Sequence, residues 1–431
     1  VQNAFNADEN HQSVVRGSWN SGPYLKIFPT RFEETMINSS ALQEGKDFSI
    51  IPGGPFFQLL RRIGLTGSAL ELMNKRAIII SLLAWFPLFI LSMINGQAWG
   101  DKTNLPFVED LEAHIRFLVA LPLMIFAERM VHERMQMIVM QFEERNLIPE
   151  PALEQFRKAI ASAYRWRNSF VAEALILVLI YVIGYSVVWN KTMALDTIAW
   201  YTEPSIGKGN LSLAGMWFRY VSLPLFQFLL LRWYYRIFIW SRFLFYVTRI
   251  KLTLVPTHPD GCGGLGFISY IVYAFMPLAL AHGATIAASI ANHLFHEGAA
   301  LLDYKFEIII IVVVVLLLVL VPLLMFSSQL MDAKRIGTLT YGKLAARYVH
   351  EFEAKWMNSN STKDMLIGSK DIQSLADMAN SYKLVERMQF IPITRTDIIL
   401  LVLTTIAPLV PLLLTMMPFS DLFKLATGVL F

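Results

Sequence analysis

The sequence predicts an all-α, polytopic transmembrane bundle of about seven spans. Three observations carry that prediction: a composition too apolar for a soluble fold, seven apolar runs of roughly bilayer length, and basic residues gathered at alternate ends of those runs. Of the 431 residues, 55% are hydrophobic and 16% charged, whereas soluble domains run near a quarter charged. The net charge of +4 is small, and the basic residues lie beside apolar runs. This points to membrane topology and away from nucleic acid, which calls for a basic face on a binding fold. Cys262 is the single cysteine, so an intramolecular disulfide is excluded. Residues 1–50 are polar and contain no apolar stretch of signal-peptide type.

Crossing the hydrocarbon core takes about twenty apolar residues. Runs of that kind extend from Ala77 to Asn95, Ile115 to Val131, Ser169 to Trp189, Leu213 to Leu231, Phe267 to Asn292, Glu307 to Phe326 and Ile398 to Pro418. The second is the shortest, because Glu128 and Arg129 interrupt it. Loop charges test the count. One set of flanks holds Arg61, Arg62, Lys75, Arg76, Arg129, Arg134, Arg157, Lys158, Arg165 and Arg167. The same side continues with Arg232, Arg236, Arg242, Arg249, Lys251, Lys334, Arg335, Lys343, Arg347, Lys383, Arg387 and Arg395. The other set holds Lys102, Lys191, Lys208, Lys305 and Lys424. This is the positive-inside pattern, and it predicts a cytoplasmic N-terminus and an external C-terminus. Removing the second run would put Arg157, Lys158, Arg165 and Arg167 outside.

Four regions follow. Residues 1–76 read as a cytoplasmic segment that turns at Pro52-Gly53-Gly54-Pro55 and then forms short amphipathic helices. Residues 77–326 hold the first six spans. Residues 327–396 read as a cytoplasmic helical hairpin, because Leu344, Tyr348, Phe352 and Trp356 recur at every fourth position and Ile372, Leu375, Met378, Tyr382 and Val385 follow a second helical pattern. That hairpin is the expected surface for a second copy or for partners in a membrane complex. Residues 397–431 hold the seventh span, interrupted by Pro408 and Pro411, and a short tail. No internal repeat of the kind that marks many transporters is visible.

The fifth run is the most informative. Ala281, Ala284, Thr285, Ala287, Ala288, Ser289 and Ala291 suit close helix packing. At about 100° per residue, His282, Ser289, His293 and His296 share one stripe from mid-membrane to the outer surface. Imidazole can pass protons or bind metals, so the stripe is a candidate transport or proton path; the competing reading is a neutral His282 bonded to a neighbouring helix. His293, His296 and Glu297 are candidate metal ligands. Glu173, one turn inside the third run, is counted with the same candidate path and needs a partner such as an arginine at the inner end of the fourth.

In the loop Val255–Gly266, Gly261, Gly263 and Gly266 spell G-x-G-x-x-G, but a membrane helix precedes them where a dinucleotide site needs a strand. The loop remains a candidate anion or ligand site, with free N–H groups at a helix start. His258, Asp260 and Cys262 alternate, so in an extended chain they would face one way and could ligate a metal. The competing reading is a tight connection beneath the membrane. From Met216 to Val255 the chain has no glycine, which predicts a long helix. It carries Arg232, Arg236 and Arg242 among aromatics, placed to anchor in lipid headgroups or to line a basic vestibule. The sixth run is uniformly aliphatic and is expected to face lipid.

The Pro52–Pro55 entry, the segment Asp110-Leu111-Glu112-Ala113-His114-Ile115-Arg116-Phe117 and the Thr257-His258-Pro259-Asp260 loop together resemble uncharacterised bacterial polytopic integral membrane proteins. The resemblance implies the bacterial inner membrane and brings no activity, substrate or cofactor. Three functions stay open: a channel or transporter moving a proton, metal ion or small anion along the fifth run; a scaffold, sensor or accessory subunit; and a membrane enzyme using the His258–Gly261 loop. Since G-x-S-x-G, H-E-x-x-H and repeated histidine boxes are missing from the sequence, the expectation is a non-enzyme of unknown cofactor that contacts membrane lipids.

Overall fold

In the computed structural model the described residues are 48–65, 72–100, 103–183, 199–202, 211–357 and 370–415. They are predominantly helical. In order the helices are α1 Pro55–Arg62, α2 Met73–Ile94, α3 Leu111–Ile115, α4 Leu121–Glu144, α5 Leu153–Arg167, α6 Phe170–Ile183, α7 Leu213–Trp217 and α8 Leu223–Val247. Then come α9 Ile271–His296, α10 Lys305–Leu324, α11 Ser327–Trp356, α12 Lys370–Arg387, α13 Arg395–Ile406 and α14 Val410–Leu413.

Among the described residues, five helices are long and apolar enough to cross a bilayer: Met73–Ile94, Leu213–Val247, Gly266–His296, Leu301–Leu324 and Arg395–Leu413. The second run forms a long helix broken only by a π turn, but it carries too much charge to join them. The third is apolar over the shorter stretch Phe170–Val182, and its expected continuation to Trp189 lies outside the described residues.

Both short helices are started by a side chain. Asp110 Oδ1 accepts the Ala113 N–H at 3.0 Å, and Ser212 Oγ accepts the Gly215 N–H at 3.0 Å. Each runs into a π-helical turn, Arg116–Ala120 and Phe218–Ser222, and each turn is followed by Leu-Pro: Leu121-Pro122 and Leu223-Pro224. The prolines explain the turns. Pro122 and Pro224 have no N–H to offer the carbonyl four residues back, so the ladder widens before α4 and α8. The same order of parts at the same spacing is a local repeat that the composition of the two runs conceals. Phe117 and Phe218, one from each turn, meet edge to face at 6.2 Å.

The helix α9 is the hub, packed against α4, α13, α10 and α3. Two thirds of its most apolar window is buried (67%), against 22% for the window containing α10, so small residues mark the central helix and branched aliphatic ones the peripheral helix. A Cβ on Gly283 would collide with the Thr405 carbonyl and meet Pro408, so glycine lets α9 and α13 approach backbone to backbone. The chain after α13 tightens to a 3₁₀ turn, Ala407–Leu409, where Pro408 withholds an N–H.

One expectation is corrected. The long helix stops at Val247; Thr248–Ile250 turn, and Lys251–Val255 are non-helical. The described end of the N-terminal segment is buried, at Phe48, Ser49, Ile50 and Ile51, with the Phe48 ring among Phe243, Tyr164 and Trp240 at 4.8, 5.8 and 6.5 Å. The α11 and α12 helices do pack together, antiparallel, with Gly337 against Val385 and Lys355 against Asp371, but their connection lies outside the described residues.

Candidate functional site

Two polar sites in the bundle each contain residues that the sequence singled out, in arrangements that differ from the expected ones. At one end a buried ion network joins four helices. Glu128 on α4 accepts from Arg76 on α2, and from Arg236 on α8 at 2.7 Å. Arg232, also on α8, lies 3.8 Å from Glu128 and donates through Nε to Glu173 of α6 at 3.1 Å. All five side chains are less than a tenth exposed. Glu173 therefore has its arginine from the fourth run. The basic vestibule and headgroup roles for Arg232 and Arg236 are overturned, because both guanidiniums point into the protein. Arg242 is half-buried, donating to Ser162 Oγ at 2.7 Å with Trp166 beneath it at 4.8 Å.

Three guanidiniums face two carboxylates, and the remaining positive charge is met by backbone. The segment entering α1 lies across the network, and its alternate carbonyls point to one side, as in a strand. Ser49 O accepts from Arg167 at 2.7 Å, Ile51 O from Arg236 at 3.4 Å and Gly53 O from Arg232 at 3.1 Å. Its N–H groups are also placed: Gly54 donates to Asn168 Oδ1 at 3.2 Å and Phe56 to Glu173 Oε2 at 2.7 Å. Gly53 and Gly54 have φ of +151° and +86°, and a Cβ on either would strike Arg167, Asn168 or Glu173. Glycines are what let this chain lie against the charged groups. Reading the sequence missed Arg76 and Glu128 as members. The signal was present, since every member sits at the same end of an apolar run, but Glu128 reads only as an interruption of the second run.

The second site is a cavity of about 300 Å³ further along the bundle, bounded by α3, α4, α8, α9 and α10. His282, Thr285 and Ser289 line it from α9, with Glu112 and Tyr234 opposite and Met124, Phe226, Leu230 and Ile311 as apolar wall. His282 Nδ1 sits 2.7 Å from the Leu278 carbonyl, which can only accept, so this nitrogen carries the proton. Nε2 then accepts from the Tyr234 hydroxyl at 2.8 Å. Both nitrogens are occupied in the neutral ring. Glu112 pairs with Arg116.

The stripe expected along α9 does not stay together. His282 and Ser289 share the cavity, while the ring of His293 stacks on Tyr304 at 5.5 Å, with Nδ1 2.9 Å from Glu297. His296 turns to Glu109 at 3.3 Å. The metal reading of His293, His296 and Glu297 is corrected accordingly, because the two rings serve different carboxylates. Among the described residues no three His, Cys, Asp or Glu side chains are placed to share an ion.

The glycine loop is also reassigned. Its N–H groups do hold an anion, and the anion is the chain's own Asp260: Cys262 and Gly264 donate to Oδ1 at 2.8 and 3.1 Å, and Gly266 to Oδ2 at 2.9 Å. His258 Nδ1 lies 2.9 Å from Oδ1. Burial pushes the Asp260 carboxyl up, but the N–H bonds outweigh it and hold the group below the usual carboxylate range. The Cys262 thiol, raised to about 11 by burial and by Asp260, faces the Ile391 carbonyl at 3.7 Å. Gly261 accepts from Gln389 N–H at 2.7 Å, and Thr253 donates to the Leu147 carbonyl at 2.8 Å. The loop is thus a tight connection binding α4, α9 and α12 together. No ligand ion has N–H groups left to occupy at Gly264 and Gly266.

At the opposite end Asp110 does more than cap. It also accepts from Asn292 at 2.7 Å and from Trp200 at 2.9 Å, and Asn292 accepts the Leu111 N–H at 3.0 Å. His114 accepts from Trp85 at 2.8 Å.

Comparison with protein-family models, with curated proteins and with solved structures finds no match to this chain.

Proposed function

We propose that this is an integral membrane protein that holds one apolar chain or ring of an amphiphilic molecule in the α9 cavity. The observation that carries the reading is the makeup of that cavity: apolar walls with a few convergent polar groups, the usual composition of a site for a small organic ligand. About 300 Å³ equals roughly ten water volumes, enough for a short chain or a ring and not for a whole lipid. An ion would lose hydration to walls of Met124, Phe226, Leu230 and Ile311, an unfavourable exchange, whereas an amphiphile finds hydroxyls at Tyr234, Thr285 and Ser289 for its polar end. Transport along the α9 stripe is the weaker reading, because His282 has both nitrogens engaged and His293 and His296 lie elsewhere.

The positive-inside pattern supports seven crossings, with the segment before α2 and the α11–α12 pair on the cytoplasmic side and the C-terminus outside. Two crossings beyond the five apolar helices are then the Leu111–Glu144 region and α6. A second reading, a docking platform, is favoured by Met331, Ile336, Leu339 and Leu344, all more than half exposed or at half exposure on α11. Ile336→Glu with Leu339→Glu would abolish self-association or co-purification on that reading and change neither on the first.

The test of the first reading is photo-crosslinking of the full chain in vesicles with a diazirine fatty acid. Adducts on the cavity walls at Phe226, Leu230 or Ile286, lost in Ala281→Phe, are expected. Adducts confined to the outer face of α10 and unchanged in that variant would overturn it.

A further inference from the structure

A larger cavity of about 850 Å³ lies between the connection following α8 and the first turns of α11. It shares no residue with the α9 cavity or the ion network, and no motif pointed to it. Its lining includes Arg249, Lys251 and Arg335 and one carboxylate, Asp332, a clear positive excess. Thr340 and Tyr341 add hydroxyls from the α11 wall, and Thr253 adds one from the loop.

The walls are braced. Gln329 Nε2 donates to both the Thr248 and Ile250 carbonyls at 2.7 Å, fastening the turn after α8 to α11. Gly337 takes the ring of Pro256 where a Cβ would not fit, so loop and helix are in contact at the far edge too. The Arg249 guanidinium lies over the Phe245 ring at 4.7 Å, which covers one face and leaves its N–H edge for a ligand. Arg335 is 3.8 Å from Asp332, a loose and exposed pairing that leaves its fork open.

We propose that this cavity binds a phosphate-bearing ligand. Guanidinium forks and an ammonium around one space complement a phosphate's charge and its equatorial oxygens, and hydroxyls supply further donors. The volume lies within the range of small-molecule sites and leaves room for more than a bare phosphate. The cavity opens where α8 and α10 end, at the depth where an anionic lipid headgroup and a soluble phosphate compound present the same chemistry.

The experiment uses the full chain in neutral detergent, stripped of anionic lipid, with two probes. Inorganic pyrophosphate is titrated by thermal shift, and phosphatidylglycerol binding is counted by native mass spectrometry. At least one probe is expected to bind saturably, and which one does so identifies the source. The Arg249→Gln, Lys251→Gln, Arg335→Gln triple variant is expected to bind it at least about tenfold more weakly. Asp332→Asn removes the lining carboxylate and is expected to bind it roughly threefold more tightly, an effect that misfolding cannot mimic. Failure of both probes to saturate on the wild type, or unchanged binding in both variants, overturns the proposal. Neither result bears on the α9 cavity.

Discussion

Arg236 donates to Glu128 at 2.7 Å across 108 residues of sequence, and both side chains are buried in an otherwise apolar bundle. The pair is the centre of the network that also holds Arg76, Arg232, Glu173 and the segment before α1. Its members come from α2, α4, α6 and α8, so it fixes how four helices rotate relative to one another.

Removing the central carboxylate leaves buried arginines without their counter-charge. Glu128→Ala is expected to destabilise the protein by about 3–5 kcal/mol, read as a large fall in Tm in detergent. Its neighbour Arg129 pairs with Glu133 at the exposed surface, and Arg129→Ala is expected to change stability by less than about 1 kcal/mol. Equal effects of the two substitutions would remove the network's role.

The entry segment depends on two glycines with positive φ. Gly53→Ala and Gly54→Ala each introduce a Cβ against charged side chains, at positive φ where a side chain costs about 1–3 kcal/mol. Hydrogen exchange at Gly54 and Phe56 is expected to be slow in the wild type, where both N–H groups are bonded, and faster in both variants. Unchanged protection would show that the segment is not held by the network.

The contact of α9 with α13 leaves no room at Gly283. Gly283→Ala is expected to separate the helices and cost about 1–3 kcal/mol through overpacking, measured as a lowered Tm. Gly298→Ala tests a glycine of positive φ with open space around it, so only its backbone strain is expected to register.

The Asp260 loop is expected to weaken in acid. The folded carboxyl lies below its unfolded value, so its stabilisation is fully present above about pH 4 and is lost as pH falls through the lower folded value. Hydrogen exchange of Cys262, Gly264 and Gly266 in the wild type is expected to rise in that window beyond its intrinsic pH dependence. Asp260→Asn is expected to lose about 1–2 kcal/mol of local stability at neutral pH and to show no such window.

Topology is testable with the chain's own single cysteine replaced. In a Cys262→Ala background, Lys102→Cys is expected to react with an impermeant maleimide on intact cells. Lys334→Cys is expected to react only after permeabilisation. The reverse pattern would invert the proposed orientation.

What the sequence by itself determined was the helical class, the presence of helices long and apolar enough to cross a membrane, and the different characters of its runs. In hydrocarbon each segment must satisfy its backbone internally, so helix formation is local and a run of apolar residues announces it. The small residues of α9 and the aliphatic ones of α10 distinguished a central helix from a peripheral one on the same local grounds. Apart from Glu173, whose arginine the sequence anticipated, tertiary structure decided which charges meet. Glu128 lies beside Arg129 in sequence but points to Arg236, because helix rotation and packing choose the partner. The glycine loop shows the same limit: its spacing promised N–H groups for an anion, and only the folded turn reveals that Asp260 occupies them.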